Sequence, residues 1–352
     1  MEKRNNNIAL FKFIYSWIIV FFHFFPTDSG KFIGGYIGVE YYLLVAGVFF
    51  FVGYERQSAQ TMQTPYAWFV KRFWRLFPWA FTAFLFSAIV IRGIPTSFVQ
   101  ALDYFSGDIW EILLIKWNGM NDGQLLINGP AWTMSSMLLA GFFIWGFLYF
   151  LPEKFLNFFM PISIIVGYGI WRHVESAGTE VWIGFTTFGT FRTYIVMCLG
   201  YYCLKLSQKL SGSNLNARGK ALITIIEVLC QVLAIAIMLK RGTRNYQWFA
   251  TLLLFVAIAI AISGKSMLTD LLNRFDGVYF LQNLSLSVYL MHFGAIRLFE
   301  TLYGYDYNRN YYFAFLIALI LLLSLLHYFV TKFLIKKCGK VWGIVRSKII
   351  DN

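Results

Sequence analysis

Residues 23–47 read HFFPTDSGKFIGGYIGVEYYLLVAG, a stretch that places His23 and Glu40 inside or against apolar runs long enough to cross a bilayer. An ionisable side chain at membrane depth costs a few kcal/mol, so one found there usually faces a cavity or a partner. Downstream, Lys71, Arg72 and Arg75 form a basic cluster at the start of another apolar run.

Composition sets the solvent. The chain of 352 residues is 59% hydrophobic and 20% aromatic but only 13% charged, and its mean hydropathy is +0.61. That is too much apolar surface for packing in water. The net charge of +13 is no sign of a nucleic-acid partner, because the basic residues collect between apolar runs and near the C-terminus, as membrane topology demands. The cysteines, Cys198, Cys203, Cys230 and Cys338, lie in or beside apolar segments without metal-ligand spacing. Neither a disulfide framework nor a metal site is expected.

An apolar run of about 17–25 residues spans a bilayer as a helix, and about ten segments pass that length test. They fall near 8–25, 36–53, 76–94, 131–151, 156–171, 189–206, 221–239, 247–263, 279–298 and 311–335. The first is preceded by Lys3 and Arg4, as in a signal peptide, but no small-residue cleavage site follows it. Alternating barrel strands are absent, which leaves helices to satisfy the backbone in lipid. The expected fold is all-α, a polytopic transmembrane helical bundle, and residues 1–352 are expected to form one domain with a short C-terminal tail.

Orientation follows from the basic segments. The N-terminus, the 54–75 and 205–220 connections and the tail are rich in Lys and Arg, whereas 95–130 carries Asp103, Asp108, Glu111 and Asp122 against Lys116. Both termini are therefore expected in the cytoplasm, in a cell inner (plasma) membrane. Lys240, Arg241 and Arg244 break the rule by falling on an outer connection. They are candidates for holding an anionic acceptor through charge-assisted hydrogen bonds, the alternative being a solvated loop.

In this orientation helix one runs outward to His23, and helix two runs inward from Gly34 and Gly35 with Glu40 in its first turns. A short connection makes the two antiparallel neighbours, so the imidazole and the carboxylate are expected to meet. A carboxylate on one ring nitrogen fixes the tautomer and raises the basicity of the other, which suits a general base. The alternative is a hydrogen-bonded structural histidine. Arg72 and Arg75, three apart, share a helix face. Such cations fit phosphates, although they also fit positive-inside anchoring on anionic lipid.

The order Lys12, His23, Gly38-Val39-Glu40, Gly47, Arg72 and Arg75 with Pro78, Trp132-Thr133, and then Ser285, Ser287, Tyr289, Leu290 and His292 resembles the acyltransferase-3 family of multi-pass membrane acyltransferases. The resemblance covers about residues 8–335. It implies transfer of an acyl group, usually acetyl, from cytoplasmic acetyl-CoA or another acyl-CoA to a hydroxyl of an extracytoplasmic carbohydrate or lipid-linked sugar. On that basis His23 and Glu40 are the catalytic pair, Lys12, Lys71, Arg72 and Arg75 hold the coenzyme, and Trp132, Thr133, Tyr289 and His292 contact substrate. Lys12 lies eleven residues before His23, roughly 16 Å along a helix, where the family usually has Arg. Ala46-Gly47 replaces a Ser-Gly step, and Trp132-Thr133 leads to Ser135, Ser136 and Met137 without the glutamate of many members. A transporter with a proton or anion path, and a membrane sensor without catalysis, are the rival readings.

Overall fold

The computed structural model describes residues 5–26, 29–57, 61–115, 127–174, 179–239, 246–304 and 310–350. The helices are α1 (Asn6–Phe24), α2 (Gly38–Glu55), α3 (Pro65–Arg92), α4 (Phe98–Gly107), α5 (Ile109–Ile112), α6 (Trp132–Phe150), α7 (Pro152–Lys154) and α8 (Met160–Val174). They continue as α9 (Phe188–Ser211), α10 (Ala217–Leu239), α11 (Gln247–Ser263), α12 (Met267–Leu272), α13 (Val278–Tyr303) and α14 (Asn310–Ile350). A π-turn over Phe155–Phe159 joins α7 to α8, and a two-residue hairpin pairs Trp182–Ile183 with Thr186–Thr187.

Among the described residues, seven helices are long and apolar enough to cross a membrane: α1, α2, α3, α6, the α7–α8 unit, α10 and α14. Helices α9, α11 and α13 cover the other three expected spans, α11 being a shorter apolar helix of 17 residues. α9 carries Arg192, Lys205 and Lys209, and α13 carries Gln282, Asn283, His292, Arg297 and Glu300. α9 packs against α2, α6, α8 and α11, and α13 against α1, α3 and α14, so much of their polarity faces protein. Outward faces are apolar instead: Leu222, Ile225, Leu229 and Val232 form an exposed stripe on α10, as do Phe315, Leu322, Leu326 and Phe329 on α14. Apolar outside with Asn7, Glu227, Gln231 and His292 buried inside is the pattern of a protein dissolved in lipid. The chain is an all-α polytopic membrane bundle.

Two element boundaries differ from the sequence expectation. α3 begins at Pro65, where Thr64 accepts a hydrogen bond from the Ala67 N–H, so Lys71, Arg72 and Arg75 sit on the helix and not in a loop before it. A Thr cap followed by Pro starts a helix even where the next residues are aromatic and basic. α14 continues past the apolar run through the basic tail to Ile350.

Glycines set the register at the centre. Gly35 and Gly38 of the α2 entry lie against α1, where added Cβ atoms would meet Ile18, Phe22 and Ile19. On the other side, a Cβ on Gly200 of α9 would stand 2.6 Å from the Gly47 carbonyl carbon, and one on Gly47 would strike the Met197 backbone. Helices in lipid associate by such close packing, since burial from lipid gives no hydrophobic gain. α2 and α9 run parallel: Glu40 faces Arg192 at one end, and Glu55 pairs with Lys205 at 2.6 Å at the other. α1 and α13 are parallel too, with Asn6 on the Phe275 carbonyl at 2.8 Å and His23 beside His292.

The α2–α9 contact predicts that Gly47→Val lowers the thermal stability of detergent-solubilised protein by about 1–3 kcal/mol, as overpacking does. Gly53→Ala, where a Cβ meets nothing within 4 Å, should leave the melting temperature unchanged or raise it.

Candidate active site

His23 lies in the last turn of α1. Its ring is accessible, and it stands next to three other rings: Phe22 at 4.9 Å between centroids, His292 at 5.2 Å and Phe293 at 6.2 Å. His292 is fully buried on α13. One turn earlier Tyr289, whose ring is 6.0 Å from His292, donates its hydroxyl to the Thr133 Oγ1 at 3.1 Å and to the Pro130 carbonyl at 3.2 Å. The structure thus gathers His23, His292, Tyr289 and Thr133, with Trp132 adjoining at the start of α6.

That start is held by a residue the sequence offered only as loop charge. The buried Glu111 carboxylate accepts from the backbone N–H groups of Ile127 and Asn128, at 2.9 and 2.7 Å. Two N–H donors on one carboxylate fix the segment leading into Trp132 and Thr133.

Glu40 is not the partner of His23. Its neighbour Tyr41 stacks on Tyr15 at 4.7 Å, and Tyr15 is eight residues before His23, about 12 Å down the helix axis. The hairpin therefore places the carboxylate deeper than the imidazole. Glu40, 1% exposed, instead forms an ion pair with Arg192 of α9, Oε1 to Nε 2.9 Å. The Nε–H is not aligned for a hydrogen bond with the oxygen, so the contact is coulombic in the main. The guanidinium lies over the rings of Trp132 and Trp171, at 5.5 and 5.6 Å, two cation–π contacts in a buried setting. Arg192 was not singled out from the sequence. The signal was present, since it is the one cation in the apolar first half of α9.

The basic group gathers more than expected. Lys12 on α1 and Arg72 on α3 each lie close enough to Arg75 to feel its charge, while Lys71 and Arg75 are exposed. Among the described residues no carboxylate forms an ion pair with any of the four. Cations gathered without a carboxylate are chemically suited to hold an anion. A row of polar groups leads from there to the histidines. The Lys12 carbonyl accepts the Tyr42 hydroxyl at 2.5 Å, and the Tyr42 ring lies 5.5 Å from that of Tyr289, which adjoins His292.

His327 carries no role in the sequence reading, and the structure makes it a junction. Nδ1 faces Ser287 Oγ at 3.0 Å, and Nε2 faces Thr82 Oγ1 at 2.9 Å and the Trp79 carbonyl at 3.1 Å, tying α13, α14 and α3 together. Lys240, Arg241 and Arg244 lie outside the described residues.

A family model described as an acyltransferase domain matches residues 5–329. No curated protein and no solved structure gives a significant match.

The Glu40–Arg192 pair predicts a non-additive mutant cycle. Arg192→Leu alone leaves a buried carboxylate without its cation and should cost about 3–5 kcal/mol, whereas Glu40→Leu with Arg192→Leu should recover much of that loss. Thermal denaturation of the two single variants and the double variant measures it.

Proposed function

The chain belongs to the acyltransferase-3 family and is a membrane acyltransferase, and from that premise we propose that it carries an acyl group, in the first instance acetyl, from acyl-CoA to a hydroxyl of a carbohydrate or lipid-linked sugar across a cell inner membrane. The single observation that carries the reading is the polar row joining the cluster of cations to an accessible histidine. Lys12, Arg72 and Arg75 stand at one end, Tyr42 and Tyr289 between, and His292 and His23 at the other. Along α1 alone the two ends are roughly 16 Å apart, a distance of the order an extended pantetheine arm covers.

In this reading the coenzyme phosphates rest on the cations at the cytoplasmic end, where both chain termini lie, and the thioester reaches toward His23. His23 takes the proton of the acceptor hydroxyl as that oxygen attacks the thioester carbonyl. When the tetrahedral adduct collapses, the C–S bond breaks and the proton passes from His23 to the coenzyme A thiolate. Thr133 and Tyr289 line the approach and position the substrate. Glu40 and Arg192, joined to this region through Trp132, act as its support and not as the base.

Two experiments on purified protein test this. His23→Ala should lower acyl transfer by about 10²–10⁴-fold with membrane insertion intact; turnover at the wild-type rate would exclude His23 as the base. Arg72→Ala with Arg75→Ala should raise KM for acyl-CoA several-fold with little change in KM for the acceptor, because phosphate contacts are remote from the reacting carbon. An equal effect on both constants would remove the cations from the donor site.

A further inference from the structure

His292 holds one proton position fixed. Its Nδ1 lies 3.3 Å from the Val288 carbonyl, and because a carbonyl only accepts, the ring hydrogen sits on Nδ1. Neutral His292 therefore presents a bare lone pair on Nε2. That atom is buried and has no hydrogen-bond partner, a condition that native interiors rarely leave unmet.

A donor for it stands beside the ring. Among the described ring contacts of His292, Tyr289 and His23 carry polar groups. The Tyr289 proton is already engaged with Pro130 and Thr133. His23, 5.2 Å away between ring centroids with the ring planes 33° apart, has no hydrogen-bond partner for either nitrogen among the described residues and always carries at least one N–H. At this separation a small rotation of the His23 ring, or one bridging water, brings its N–H onto the His292 lone pair. The other rings against His23, Phe22 and Phe293, offer no acceptor.

Resting on the reading of His23 as the base, we propose that His292 is its positioning residue: Nε2 of His292 accepts the N–H of His23, so that the second His23 nitrogen is held bare and turned to the acceptor hydroxyl. This is the part the sequence suggested for Glu40. An imidazole suits it here because α1 and α13 run parallel with the two histidines level, whereas Glu40 lies deeper and is engaged by Arg192. When His23 becomes imidazolium, the same contact steadies its charge, and two rings this close do not both hold an extra proton. His292 therefore ends each turnover in its starting state.

The test reads His23 directly. Accessible His23 should react with diethyl pyrocarbonate, followed by peptide mass spectrometry, while buried His292 should not. His292→Leu should slow modification of His23 by about five- to tenfold, the worth of one hydrogen bond. It should also lower kcat by about 10- to 100-fold with KM for acyl-CoA unchanged. His292→Gln sets an amide oxygen near the Nε2 position and should keep modification within about twofold of wild type, whereas His292→Asn, whose oxygen falls near Nδ1, should not. Equal modification rates in the Gln and Asn variants would overturn the proposal even if the Leu variant fails to fold. So would wild-type modification in the Leu variant. Absence of acylated product from the wild-type protein, with these modification ratios intact, would sink the acyltransfer reading of His23 and leave the pairing standing.

Discussion

Everything at the centre of this bundle depends on how closely α2 approaches α9. The Gly47–Gly200 crossing lets two backbones touch, and touching backbones leave no room to slide. Parallel running then fixes Glu40 opposite Arg192 at one end and Glu55 opposite Lys205 at the other. Arg192 in turn lies over the rings of Trp132 and Trp171, which brings the start of α6 against α9. From there Thr133 meets Tyr289 and the register passes to α13. A buried charge pair is weak as a source of stability, because desolvation offsets most of its attraction. Here its contribution is to reject other registers: a one-turn slip of α2 would bury both charges unpaired.

Hydropathy made the helices legible, since a run of apolar residues of bilayer length has few alternatives in lipid. It was less informative where helices carry polar faces. The start of α3 at Pro65 was hidden by Lys71, Arg72 and Arg75, although Thr64-Pro65 is a helix-start signal in its own right. α9 shows the converse. Its length and apolar character were readable, but its one deeply placed cation was passed over, and with it the true partner of Glu40.

The Glu40 assignment failed for a geometric reason. Two residues on either side of a short turn are neighbours in sequence, and in an antiparallel hairpin their depths depend on how much chain the turn consumes. The connection from Pro26 to Ile37 includes a 3₁₀ turn over Gly35–Ile37 that already packs on Ile18 and Phe22. The first α-helical turn of α2 therefore begins below His23. By contrast Tyr289 and His292, spaced three apart on one helix, needed no turn to be estimated, and they do share a face. Spacing within an element carried over to space; spacing across a loop did not.

The same distinction bears on how the reactive row is held. Lys12 and His23 are eleven residues apart, close to three full turns, so they share a face of one helix. α1 is anchored elsewhere along its length, by Asn7 to Glu227 at 2.6 Å and Tyr15 to Gln231 at 2.6 Å, both on α10. These buried hydrogen bonds resist rotation of α1 about its axis, because any turn of the helix would strand the carboxylate and the amides in an apolar interior. The distance and angle between the cation end and the histidine end are thus set by one rigid element held against α10. No loop intervenes between them, and so the separation is a property of helix geometry more than of tertiary adjustment.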